Sequence, residues 1–326
     1  MPPFSSHKEL VYVWGKIMAT DTQVPNIMKQ GRVTPWLYVL PALLIMAVFI
    51  IYPGLNTIYL SFRNVDNTDW ASAACVAGQP CWGVLENYRY ALTSPIMQTA
   101  FVNNLTWILL MVSGTVLLGL LVAMLADRVK YEAAAKAIIF LPMAISFVGA
   151  GVIWKFMYDY GSGQVQIGLL NAIVTALGGQ PVSWLTAPQI NNIALIVVGV
   201  WMWTGFCMTI LSAAIKSVPT EILEAARVDG ATEWRAFRSI TVPLIWPTMT
   251  VVITTMVINV LKIFDIVYVM TGGNYGTEVI ANRMYGEMYT SFQTGRAAAI
   301  AVVLIIVIVP AMIYNIRRFR EQEAAR

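Results

Sequence analysis

Reactive side chains are scarce in this sequence. It holds one histidine, His7, and three cysteines, Cys75, Cys81 and Cys207. No CxxC pair and no Cys/His cluster occurs, so a zinc site has no ligand set. A Ser–His nucleophile would have to recruit His7, far out at the N-terminus. No G-x-x-x-x-G-K-[ST] run is present, so the chain does not cradle ATP phosphates in that way, and no cofactor of its own is expected. The polar residues that can act are of another kind: they sit inside apolar runs, where polar groups are costly and point to function. Thr255, Asn259, Lys262 and Asp265 follow at steps of four, three and three, which puts the first three near one helical face. Lys262 and Asp265 are spaced to pair, lowering the cost of burying either. Trp203 and Phe206, three apart, can line one wall of a cavity. Amide, hydroxyl and ammonium groups suit sugar hydroxyls, and aromatic faces suit the apolar faces of pyranose rings. The competing reading is structural: an ion pair, an amide bonded to a neighbouring helix, and ordinary aromatic packing.

The elements that must position these residues are membrane spans. Of 326 residues 58% are apolar and only 12% charged, with a mean hydropathy of +0.67; a soluble domain carries roughly 25% charged residues. A span needs roughly 20 apolar residues, and six stretches qualify, about 36–61, 101–126, 137–158, 193–215, 244–268 and 297–316. The expected architecture is all-α and polytopic. Internal prolines at 41, 53, 142, 247 and 310 are tolerated where neighbouring helices satisfy the freed backbone groups. Lys and Arg decide the orientation. With the N-terminus inside, the inner segments hold Lys8, Lys16, Lys29, Arg32, Arg128, Lys130, Lys136, Lys216, Arg227, Arg235, Arg238, Arg317, Arg318, Arg320 and Arg326. The outer segments hold only Arg63, Arg89, Arg283 and Arg296. Both termini are thus expected in the cytoplasm of a bacterium, with the chain in its inner membrane. Residues 1–34 form a cytoplasmic N-terminal segment, 35–316 a six-helix transmembrane domain, and 317–326 a cytoplasmic tail. Part of the first segment either lies along the inner membrane surface or is disordered. The first 30 residues lack a long apolar core and a small-residue cleavage site, so no cleavable signal peptide is expected. Cys75 and Cys81 share an outer loop, where an oxidising medium allows a disulfide. Cys207, within the fourth span, is a small apolar packer. A short surface helix is expected within 159–192.

One cytoplasmic loop, 217–243, is long and charged. Thr220 is placed to cap a helix, with Glu221 and Glu224 near its positive end. Asp229-Gly230 stops that helix, Gly being free to take positive φ. Thr232 is placed to cap a second short helix over "EWRAFRSI". A connector needs only about five residues. A helix, a glycine break and a second helix instead make a protrusion suited to a partner's groove.

The run Glu224-Ala225-Ala226, Gly230, Ile240 and Val242-Pro243 closely resembles the EAA motif of ABC importer permeases. The family usually ends the motif I-x-L-P, where this chain has I-x-V-P. "TGG" at 271–273 resembles the motif that carbohydrate-type (maltose, trehalose, α-glucoside) permeases place after the fifth span, although Asn274-Tyr275 departs from the usual Gly-Pro. "GRAAAIAVVL" at 295–304 is also similar to the family. The resemblance extends in layout from the first span to the last. It implies the type I importer permease fold and a transport subunit rather than an enzyme. It also implies a second homologous permease, two ATPase subunits that bind ATP and Mg, and an extracytoplasmic substrate-binding protein; no nucleic acid is expected. Glu224, Ala225, Ala226, Asp229 and Gly230 would belong to a coupling helix seated in the ATPase. Thr255, Asn259 and Lys262 fall where maltose-type permeases contact sugar. The expected cargo is an oligosaccharide or glycoside: maltose, trehalose, an α-glucoside or a glucosyl-polyol osmolyte. A glycerol-phosphate or polyamine permease has weaker support, since Lys262 alone is little charge for a phosphate and Asp265 alone is little acid for a polyamine. An ion-coupled secondary transporter would normally show more spans and an inverted repeat, and would leave the broken-helix loop unexplained.

Overall fold

A computed structural model describes residues 34–63, 84–127, 129–161 and 167–324. Cys75, Cys81 and His7 lie outside the described residues, as does most of the N-terminal segment. Two units divide the chain, Met1–Asn56 and Thr57–Arg326. Among the described residues there are helices and turns and no sheet.

The first span is α1, Trp36–Ser61. It keeps Pro41 inside an α-helical stretch and widens to a π turn at Ala47–Ile51, just before Pro53, the kind of local adjustment that re-satisfies backbone groups ahead of a proline.

In the second unit, α2 (Val84–Thr93) leads into α3 (Pro95–Ala126), which has Pro95 in its first turn. The fourth span is α7, Asn191–Lys216. It packs along α3 so closely that a Cβ on Gly119 would stand 2.7 Å from Cys207 Cβ and 3.0 Å from the Met208 nitrogen. Small residues let membrane helices approach in this way. Cys207 is fully buried in that seam, and burial pushes no other role onto it than packing. Trp107, Met111, Leu195, Val198, Met208 and Leu211 extend the same core.

The third span departs from the straight helix expected at 137–158. It is a pair, α4 (Glu132–Ala144) and α5 (Phe147–Met157), bent by 98°. The cause is local: Leu141–Ala144 tightens to a 3-10 turn at Pro142, Ile145 turns extended, and Ser146 restarts the chain as an N-cap, its Oγ accepting from the Gly149 N–H at 3.0 Å. The expected surface helix exists as α6, Leu169–Ala176. Asn171 secures it by donating to the Asp159 and Val182 carbonyls, each at 2.9 Å.

Next come α8 (Thr220–Val228), α9 (Glu233–Leu261), α10 (Asp265–Met270), α11 (Ile280–Tyr289) and α12 (Thr294–Ala324). Two expectations change here. The second helix of the charged loop is not separate: it is the first stretch of α9, joined to the fifth span through a π turn at Phe237–Thr241. The fifth span in turn does not run unbroken to residue 268. It stops at Leu261 and resumes at Asp265.

Beyond the fifth span, asparagines hold the turn over 271–278 in place. Asn103 Nδ2 donates to the carbonyls of Gly276 (2.7 Å) and Glu278 (2.8 Å), and Asn191 Nδ2 to that of Tyr275 (2.8 Å). The "TGG" turn is thereby fastened to α3 and α7.

Candidate functional site

Most of the expected site residues fall in two places. The first is the charged loop. Asp229 ends α8, and Gly230 adopts φ +78° with open space where a Cβ would be. The Gly230 N–H bonds the Arg227 carbonyl at 3.0 Å and the Ala231 N–H bonds the Ala226 carbonyl at 2.9 Å. This is the double hydrogen bond of a Schellman stop, which needs a left-handed residue at the position Gly230 fills. Thr232 then caps α9, its Oγ1 accepting from the Arg235 N–H at 3.3 Å. Thr220 does not cap α8; it is the first helical residue, and Pro219 precedes it with no side-chain bond.

A salt bridge spans the glycine break. Arg227 Nε donates to Glu233 Oε1 at 2.8 Å and Nη2 to Oε2 at 3.4 Å. That hydrogen bond raises the Arg227 pKa above its ordinary value. The two arms of the loop are therefore tied base to base while the turn stays open. The motif residues divide by face. Ala226 is buried at 9% exposure, whereas Glu224, Ala225, Asp229 and Gly230 are exposed. Val228 at 87% and Trp234 at 66% exposure add apolar surface to the loop, the composition of a helix seeking a groove.

Beneath the loop is a cleft of about 160 Å³ lined by Met124, Asp127, Ile215, Leu223, Arg227, Glu233, Ala236, Phe237 and Thr241. Its floor carries a charge network absent from the sequence reading, which counted Lys136 and Lys216 only as markers of orientation. Lys136 Nζ lies 2.5 Å from Asp127 Oδ1, 2.6 Å from Glu132 Oε1 and 2.5 Å from Ser212 Oγ. Ser212 Oγ donates to Asp127 Oδ1 at 2.7 Å, and Lys216 pairs with Glu132. The neighbouring ends of α3, α4 and α7 are pinned together at one lysine.

The second place is the break in the fifth span. A cavity of about 220 Å³ is lined by Thr255, Ile258, Asn259, Lys262, Met312, Asn315 and Ile316. Three of the residues expected to meet substrate thus share one wall, as their spacing implied. Asn259 Nδ2 donates to the Thr255 carbonyl within its own helix at 2.9 Å, so that amide is held by local backbone and not by a neighbouring helix. Asn315, from α12, was missed: it lies on a strongly apolar helix near the C-terminus, 56 positions after Asn259 in sequence. It donates to Thr254 Oγ1 at 2.7 Å and Thr255 Oγ1 at 3.3 Å.

Other expectations fail here for stated reasons. Lys262 is the C-cap of α9 and Asp265 opens α10, so the helical i,i+3 geometry is lost and no ion pair joins them. Asp265 instead sits in the first turn of α10, where a negative charge meets the positive end of the helix. Trp203 and Phe206 do not line this cavity. They contact one another edge to face at 5.5 Å, with Trp203 also stacked on Phe147 at 6.0 Å, and they pack against the α3–α7 core.

A discontinuous helix with side chains converging at the break is a pointer to a transport site. Broken helices at such depth persist only where protein or a cavity receives the freed backbone groups.

Comparison with known proteins bears on the family and the fold. Residues 115–320 match the family described as binding-protein-dependent transport system inner membrane component. The chain is 54% identical over 291 residues to the osmoprotective compounds uptake permease protein GgtC of Synechocystis sp., covering 89% of this chain and 100% of that one. It is 43% identical over 319 residues to the alpha-glucoside transport system permease protein AglF of Rhizobium meliloti, covering 94% and 91%. Among solved structures, a chain of a bacterial ABC transporter involved in the import of the acidic polysaccharide alginate superposes with a TM-score of 0.72 at 23% identity, covering 94% of this chain and 99% of that one. The fold, the broken helical loop and the match over 115–320 together place this chain in the family of binding-protein-dependent transport system inner membrane components, as a membrane-spanning permease of the type I ABC importer fold.

Proposed function

We propose that this permease forms half of the pathway of an ATP-driven importer for an uncharged oligosaccharide or glycoside. The observation that carries the cargo class is the cavity at the break in the fifth span. It offers a hydroxyl (Thr255), two amides (Asn259, Asn315) and one exposed ammonium (Lys262) against Ile258, Met312 and Ile316. Neutral hydrogen-bonding groups outnumber charge, which suits hydroxyl-rich cargo over a phosphate or a polyamine. The relatives named for α-glucosides and for osmoprotective compounds support the same class.

In this reading a similar permease supplies the other half, and two ATPase subunits hold ATP and Mg. The exposed face of the loop, from Glu224 to Trp234, seats in an ATPase. A substrate-binding protein delivers cargo at the opposite side. Both termini lie in the cytoplasm, with the basic loops. ATP closure moves this chain only through a difference in contact energy between the ATPase states.

The test is a screen of cargo against ATP hydrolysis by the assembled transporter with its binding protein in liposomes. Trehalose, sucrose, a methyl α-glucoside and a glucosyl-glycerol are compared with glycerol phosphate and spermidine. Stimulation by one or more of the neutral glycosides is expected. Stimulation by glycerol phosphate or spermidine alone contradicts the proposal.

A further inference from the structure

Asp127 is the one member of the inner charge network that also lines the cleft under the coupling loop. Its two oxygens have unequal surroundings. Oδ1 is held by Lys136 and Ser212, with Lys216 at 3.9 Å. Oδ2 is buried and has no hydrogen-bond partner among the described residues, in a side chain only 12% exposed. A buried carboxylate oxygen left unpaired is costly, and such groups in native folds call for an explanation. Across the same cleft stands Arg227, which uses Nε and Nη2 on Glu233. A guanidinium has five N–H donors in a fixed fork, so it can serve a second carboxylate that lines the same cleft.

We propose that Asp127 is a positioning residue of the coupling step: Arg227 leaves Glu233 for Asp127 Oδ2 when the coupling loop moves against the ends of α3, α4 and α7. One conformation ties the two arms of the loop to each other. The other ties the loop to the body through the lysine-pinned network. The loop is then bistable, held by one of two ion pairs, which is the kind of element that turns a local push into a rigid-body step. Lys136 and Ser212 fix Oδ1, so the carboxylate cannot turn away from the exchange. The inference rests on the coupling role proposed for the loop.

The experiment uses the full transporter with its partner permease, ATPases and binding protein. The apparent KM for ATP is measured for Asp127→Asn, Glu233→Gln and Arg227→Gln, with the double variant Asp127→Asn/Arg227→Gln. Asp127→Asn favours the state shown here and Glu233→Gln the alternative, so the two shift the KM in opposite directions, each by about two- to fivefold for pairs this exposed. Asp127→Asn shifts the KM less in the Arg227→Gln background than in the wild type, because one of its two partners is already gone and only its bond to Lys136 is left to lose. Shifts in the same direction, no shift, or additive effects overturn the proposal; a merely structural network moves all variants one way. If the wild-type chain forms no complex with an ATPase, it is the coupling role of the loop that fails. If the complex forms and hydrolyses ATP but the variants do not diverge, the exchange alone fails.

Discussion

Gly230 allows the coupling role proposed for the loop to be tested by a graded substitution. Its φ is +78° and nothing lies within 4 Å of where a Cβ would stand. Substitution therefore costs conformational energy and meets no clash inside the chain. A left-handed residue costs an ordinary side chain roughly 1–2 kcal/mol, while Asn visits that region far more readily than Ala or Val. Proline is worst: its ring holds φ near −65° and removes the N–H that bonds the Arg227 carbonyl at 3.0 Å, a change worth about 3 kcal/mol or more. The expected order of ATP-driven uptake in proteoliposomes is Gly, then Asn, then Ala, then Val, with Pro inactive, and membrane insertion is normal throughout. Thermal unfolding of the purified chain follows the same order. The telling comparison is Asn against Ala, since Asn is the larger. If Ala transports better than Asn while both are equally stable, side-chain size at the ATPase decides, and the backbone argument is wrong.

Asn259→Ala removes an amide from the cavity whose one bond among the described residues is to its own helix; an uptake affinity about fivefold weaker is expected with assembly intact, for a net hydrogen bond near 1 kcal/mol. Unchanged affinity and rate would remove Asn259 from the site. Asn315→Leu cuts the bonds to Thr254 and Thr255 and costs about 1 kcal/mol of stability, with a loss of uptake larger than the stability change explains; parallel losses would make Asn315 structural. Lys136→Met leaves Asp127 and Glu132 short of a cation. Since Lys136 is partly exposed, about 1–2 kcal/mol is expected rather than the 3–5 of a fully buried pair, read as a lower Tm; a Tm at or above wild type would show that the network contributes nothing.

The spans, the glycine break and the Thr232 cap were legible because each depends on local chemistry: apolar run length, positive φ, an oxygen at an N-cap. Thr255, Asn259 and Lys262 were legible because helical spacing alone puts them on one wall. What escaped depends on partners distant in sequence. The 98° bend at Pro142 could not be told from the other tolerated prolines, such as Pro247, which stays inside α9. The break after Leu261 has no proline or glycine to announce it, so Lys262 and Asp265 read as one helix. Asn315 joins the cavity only because α12 returns alongside α9. Asp127 and Lys136 looked like loop charges until the ends of three helices converged.

The central claim is that this chain moves its cargo through an ATPase docked on the 224–243 loop. The most direct measurement is glycoside uptake into proteoliposomes holding the assembled transporter, with a protonophore present and ATP supplied on the loop side. Uptake that needs ATP, persists without any ion gradient and disappears with Gly230→Pro is the expected result. Uptake by this chain alone, driven by a proton or sodium gradient and indifferent to ATP, would contradict the account.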